Sequence, residues 1–88
     1  MMLTMIQFET ENLKLAALIL SEIPAATFKV NSKSESNLKT ICILHPQDQT
    51  KSRNDLIHMF SIKKAKGDIF RYNRALNDLR DAMREAYV

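Results

Sequence analysis

Hydrophobic positions change period along this chain, and each change marks an element. Met1 to Phe8 is apolar with poor alternation, Leu3 and Met5 on one parity and Ile6 and Phe8 on the other. That pattern suits an N-terminal edge strand better than a helix. Thr10 then offers an N-cap for a helix beginning at Glu11, with acidic residues near the first turn, where the helix dipole favours them. Leu13, Ala16, Ala17 and Leu20 recur at helical spacing, and Pro24 sets the latest point at which this helix can end.

From Thr27 to His45 the period becomes two. Phe28 and Val30 alternate with Thr27, Lys29 and Asn31, and Leu38, Thr40, Cys42 and Leu44 alternate with Lys39, Ile41, Ile43 and His45. The pattern predicts a β-hairpin with Lys33 to Asn37 as its loop. Apolar residues occupy both parities of the second strand, which makes it the more central one, packed on both faces or paired on both edges. Two strands alone are marginal in water, so a third strand is expected, from Met1 to Phe8 or from a second subunit.

His45-Pro46 ends the strand because proline lacks a ladder donor, and Ser52-x-x-Asp55 has the form of a capping box ahead of Leu56, Ile57, Met59 and Phe60. A short second helix is predicted over about Arg53 to Ser61. The single glycine, Gly67, precedes Asp68, a sound cap for a third helix reaching nearly to Val88. Its apolar residues Ile69, Tyr72, Leu76, Leu79, Met83 and Ala86 are spaced by three and four, with Arg71, Arg74, Asp78, Asp81 and Glu85 opposite. Such a stripe serves either as the core face of a helix or as the seam of a homodimeric coiled coil. The predicted class is α+β: a helix, an antiparallel hairpin with an N-terminal edge strand, a short helix and a long amphipathic C-terminal helix.

Composition narrows this further. A chain of 88 residues with 45% hydrophobic and 26% charged residues is a single small globular domain, spanning 1–88, rather than a disordered chain. One cysteine, Cys42, provides no disulfide partner and too few thiols for a cysteine zinc site, which implies a reducing, cytoplasmic setting. The most apolar run, Leu13 to Leu20, is about half a membrane span. It follows Glu9 and Glu11 rather than a basic segment, so neither a signal peptide nor a membrane helix is expected.

Candidate chemistry is sparse. With one glycine, the chain lacks the glycine-rich loops that let backbone N–H groups approach a nucleotide's phosphates. No serine has the glycine neighbours of a nucleophile elbow. His45 with Asp48 and Asp55 with His58 are the residue types of a nitrogen and oxygen metal site, but nothing in their spacing makes them converge. Cys42 in a buried strand would stay a protonated, inert thiol. The expected protein is therefore not an enzyme and carries no cofactor and no metal.

Charge distribution supplies the one functional candidate. Residues 51–74 carry Lys51, Arg53, Lys63, Lys64, Lys66, Arg71 and Arg74 against only Asp55 and Asp68, whereas the segments on either side are slightly acidic. These seven residues are the predicted partner-binding set. Two readings stand side by side: a solvated face in which lysines complement a helix C-terminus, and a contact for an acidic protein or for nucleic acid. No recognition-helix motif and no exposed aromatic for base stacking can be read from the sequence.

The line Phe-Glu-Thr-Glu-Asn-Leu-Lys-Leu-Ala-Ala-Leu-Ile-Leu from Phe8 to Leu20 resembles the opening of a family of short uncharacterised prokaryotic proteins, some of them encoded on phages and mobile elements. The family pattern is Phe-x-Thr-x-Asp-Leu-x-Leu-Ala-Ala-x-Leu. Toward the end, Phe70 to Leu79 is similar to that family's Phe-x-x-Ala-x-x-x-Leu helix, with the spacing shifted by one residue. The chain departs in Asn12 for Asp, Lys14 for an aromatic, and Ile23-Pro24 where the family tends to have glycine. The resemblance implies a helix, a hairpin and two helices, with no catalytic residues. It points to a small accessory factor or inhibitor acting on a host protein. The basic stretch keeps a small nucleic-acid-binding regulator as the alternative, dimeric if the α-helical stripe is a seam, and the shortness of the apolar run means that no membrane partner is expected.

Overall fold

The computed structural model describes residues 4–32 and 39–85. The element order is β1 (Met5–Thr10), α1 (Leu13–Glu22), β2 (Thr27–Ser32), β3 (Lys39–Pro46), a 3-10 turn (Gln47–Gln49), α2 (Thr50–Ser61) and α3 (Ile69–Glu85). The predicted α+β class therefore holds. The hairpin loop expected at 33–37 and the end of the stripe at Ala86 lie outside the described residues.

β3 is the middle strand of an antiparallel sheet ordered β1-β3-β2. Apolar residues on both its parities are explained by pairing on both edges: Phe8 and Phe28 each stand opposite Ile43, and Thr10 and Val30 each stand opposite Ile41. On that face Ile41, Ile43 and His45 are fully enclosed. The other face carries Gln7, Glu9, Thr27 and Lys29 in the open, the usual division of an antiparallel sheet with one solvated side. Cys42 belongs to the open face yet is buried, standing between Glu9 and Lys29 in the register.

The N-terminal strand forms and runs two residues past the end of the apolar run, to Thr10, while Met1 to Leu3 lie outside the described residues. Thr10 still pairs with Ile41, so it cannot start a helix. The cap is Asn12, whose Oδ1 accepts the Leu15 N–H at 3.1 Å, while the Thr10 hydroxyl oxygen accepts the Asn12 N–H at 3.1 Å. α1 consequently has no acidic residue in its first turn. The segment from Phe8 to Ala17 thus has a structural use here: Phe8 packs on the core, Asn12 caps the helix, and Leu15, Ala16 and Ala17 are buried. Asn and Asp are comparably good caps, so Asn12 preserves the helix start.

α1 is buried along Leu15 to Ile19 without interruption, because it packs on β1 and β3 as well as on α2 and, most extensively, α3. A helix enclosed on most sides is apolar most of the way round. It ends at Ile23, and Pro24 then occupies the second position of a turn closed by the Ala26 N–H on the Ile23 carbonyl at 3.0 Å, where proline's fixed φ fits.

α2 starts earlier than the Ser52 capping box implied. Pro46 leads into the 3-10 turn, the Thr50 hydroxyl donates to the Gln47 carbonyl at 2.7 Å, and α2 begins at Thr50 with no side-chain cap. Ser52 is already inside the helix. α3 begins as its sequence predicts: Asp68 Oδ1 accepts the N–H groups of Phe70 at 2.9 Å and Arg71 at 3.2 Å. The middle of its stripe packs within the chain, with Leu79 fully buried and Tyr72, Leu76 and Met83 partly so. Ile69 departs from that pattern, being 65% exposed. Among the described residues no helix is long and apolar enough to cross a membrane.

Candidate binding surface

The end of α2, the connector 62–68 and the first turns of α3 form one corner of the molecule. α2 closes with a Schellman motif: the Lys63 N–H donates to the Phe60 carbonyl at 3.1 Å and the Lys64 N–H to the Met59 carbonyl at 2.9 Å. The left-handed residue such a motif requires is Lys63, with φ at 60°, where glycine is the usual occupant. The chain reverses there and projects Lys63, Lys64 and Lys66 into solvent.

Arg71 and Arg74 are exposed on the first two turns of α3, so five of the predicted cations meet at this corner. The other two do not join them. Lys51 is exposed at the opposite end of α2, roughly 16 Å away along the axis at 1.5 Å per residue. Arg53 is engaged in the fold: its guanidinium lies 5.0 Å from the centre of the Phe8 ring, within cation–π range. It also donates to Asn54 Oδ1 at 3.1 Å, and its Nη1 lies 3.1 Å from His45 Nε2.

His45 is fully buried, and its two ring nitrogens are both bonded, Nδ1 to the Pro46 carbonyl at 2.8 Å and Nε2 to Arg53. A guanidinium only donates, so Nε2 is the acceptor and Nδ1 carries the proton. His45 is thus a tautomer-fixed structural residue of the core, and His58 is exposed on α2. Among the described residues no group of three His, Cys, Asp or Glu side chains is placed to hold a metal ion.

What sequence patterning did not supply is the apolar part of the corner. Ile62 is 44% exposed and Phe70 83% exposed, beside Ile69. The signal was present for Phe70, which falls roughly opposite the stripe of Tyr72, Leu76 and Leu79 at 100° per residue. Phe70 and Arg74 are one turn apart on one side of α3, with Asn73 and Asn77 exposed near them. Large apolar side chains that the core does not use, set among cations, mark a contact surface more specifically than charge alone.

A cleft of about 290 Å³ opens between the helices, lined by Leu18, Phe60, Ala65, Lys66, Gly67, Ile69 and Tyr72. Phe60 and Ala65 also line a shallower hollow of about 460 Å³ together with Ser61 and Lys63. Gly67 approaches the body of the protein so closely that a Cβ there would lie 2.6 Å from Glu22 Oε1. No protein-family model matches the chain, and no curated protein or solved structure shows significant similarity to it.

Proposed function

We propose that this chain is a non-enzymatic binding domain that docks on an acidic surface of a partner protein through the α2–α3 corner. One observation carries the reading: Ile62, Ile69 and Phe70 are exposed among Lys63, Lys64, Lys66, Arg71 and Arg74. Ile62 and Ile69 have no π-face on which a base could stack, but they suit the desolvated centre of a protein interface, with cations at its rim. The resemblance of the opening motif to short phage and mobile-element proteins supports an accessory factor or inhibitor of a host protein, for example a component of a nucleic-acid-processing complex, in the cytoplasm.

A second reading, direct nucleic-acid binding, is favoured by Phe70 specifically, since an exposed aromatic beside Arg74, Asn73 and Asn77 is a stacking platform with polar groups around it. A homodimer through α3 would use the start of that helix, because Leu79 is enclosed within the chain. Affinity capture followed by mass spectrometry tests the first reading, with the double variant Ile69→Ser, Phe70→Ser as its control. A protein recovered by the wild type and lost with the variant supports docking. Recovery of nucleic acid alone, with binding that weakens steeply as salt rises, transfers the assignment to the second reading. Light scattering on the same samples reports self-association.

A further inference from the structure

We propose that the cleft between the end of α2 and the start of α3 is the specificity pocket of this surface. It takes one aromatic or branched aliphatic side chain from an acidic segment of the partner, while carboxylates next to that side chain are held by Lys66 and Lys63. The inference rests on the protein-docking reading above and adds the chemistry of what docks.

Volume sets the size of the occupant. About 290 Å³ is at the lower edge of the range that encloses small-molecule ligands, too little for a dinucleotide or a whole acyl chain and sufficient for one large side chain. The walls define its polarity, because Leu18, Phe60, Ile69 and Tyr72 present mostly apolar surface. Gly67 contributes no side chain at all to the cleft, and its backbone approaches Glu22 where a Cβ would collide.

Charge defines what flanks the occupant. The charged side chains lining the cleft and the adjoining hollow are both lysines, Lys66 and Lys63, and the carboxylate of Glu22 lies close to the lining, beside Gly67. Lys63 occupies the left-handed position in which glycine costs least, so a cation is held at the rim despite unfavourable backbone geometry. Arg71 and Arg74 do not line the cleft, but as exposed cations on the first turns of α3 they add to the positive field that attracts an acidic segment from a distance. Phosphate recognition would call for guanidinium forks or clustered backbone N–H groups converging on one point; at the start of α3 the N–H groups of Phe70 and Arg71 are already bound by Asp68.

The test is an NMR titration of the whole chain with short synthetic acidic peptides carrying Phe, Leu or Ile at the centre. Two controls accompany them, one with Ala at the centre and one with the acids replaced by Asn and Gln. At least one apolar-centred acidic peptide should shift the backbone amides of 65–67 and Tyr72. The Ala-centred peptide should bind about tenfold more weakly or worse, in line with the loss of one buried large side chain. Ala65 is exposed and lines the cleft, so Ala65→Phe should fill it and abolish the response while leaving the thermal transition in place.

Equal binding of the Phe-centred and Ala-centred peptides, shifts confined to other parts of the chain, or no binding by any of the peptides would overturn the assignment. So would shifts at the same amides, suppressed by Ala65→Phe, that arise with phosphatidylserine vesicles or a single-stranded oligonucleotide and not with peptide. Capture of the partner separates the two levels: if it survives Ala65→Phe and is lost with Ile69→Ser, Phe70→Ser, the pocket is wrong and the docking surface stands. If it survives both, the docking reading fails as well.

Discussion

Leu79 and Phe70 belong to the same helix and are both large and apolar, yet one is wholly enclosed and the other is 83% exposed. Nine residues separate them, and both angle and position along the axis matter. Leu79 lies in the stripe that faces α1. Phe70 points roughly the opposite way, and even Ile69, at the edge of the stripe, is 65% exposed at the very start of α3. Cations divide similarly. Arg53 is bonded to His45 and lies against Phe8, whereas Lys63, Lys64, Lys66, Arg71 and Arg74 are exposed. Residue type does not separate structure from surface in this chain; available partners do. The two ends of α3 should therefore respond to substitution in opposite ways.

The largest effect is expected where enclosure is complete. Leu79→Ala removes a fully buried side chain between α3 and α1 and should cost about 2 to 5 kcal/mol, measured by chemical denaturation, because the cavity adds to the lost transfer energy. A cost below about 1 kcal/mol would mean that this half of α3 is not core, and the contrast with Phe70 would collapse.

Next is the enclosed polar pair. Arg53→Met keeps much of the apolar stem but leaves His45 Nε2 buried without its donor, at a cost of about 1 to 3 kcal/mol. Replacing both groups, His45→Leu with Arg53→Met, should recover part of that loss, since two apolar partners leave no unsatisfied atom. A double-mutant cycle measures the coupling directly, and strictly additive losses would show that the bond contributes nothing.

Much of the fold was legible because local rules and tertiary context agreed. Asp68 caps α3 as its position after Gly67 suggested, and β3 is central as its two apolar parities required. Where they diverged, tertiary pairing prevailed. Thr10 is a good cap by type, but its backbone belongs to the sheet opposite Ile41, which moves the cap to Asn12. Ser52 has a capping-box spacing, but the turn after Pro46 starts the helix before it. The cationic half of the candidate surface was visible as a run of charge, although which cations gather depends on the α2–α3 reversal. The apolar half was hidden because Ile69 fits the helical period. Only the location of α1 along α3 reveals that the period continues past its partner.

Backbone geometry at the corner gives a smaller prediction. Lys63→Gly relieves the left-handed strain at the end of α2 and should raise stability by about 0.5 to 1 kcal/mol, read as a higher denaturation midpoint with an unchanged slope. Partner binding should weaken in the same variant, because a cation leaves the rim of the cleft. A variant that is both more stable and equally good at binding would confine Lys63 to a structural role.

The smallest effect on stability is expected at Phe70, and it sharpens the comparison most. Phe70→Ser removes an aromatic ring from a site that is 83% exposed, so little apolar surface is returned to water and folding free energy should change by no more than about 0.5 kcal/mol. The Phe70 N–H that Asp68 caps is retained in the variant, so the start of α3 should persist. A ring that contributes this little to folding has a measurable consequence only if something outside the chain covers it. Capture of the partner should therefore fall while the denaturation curve stays in place, the reverse of Leu79→Ala, which should weaken the fold first and binding only through it. A destabilisation of about 2 kcal/mol or more by Phe70→Ser would place the ring in the core and remove the apolar centre from the proposed docking surface.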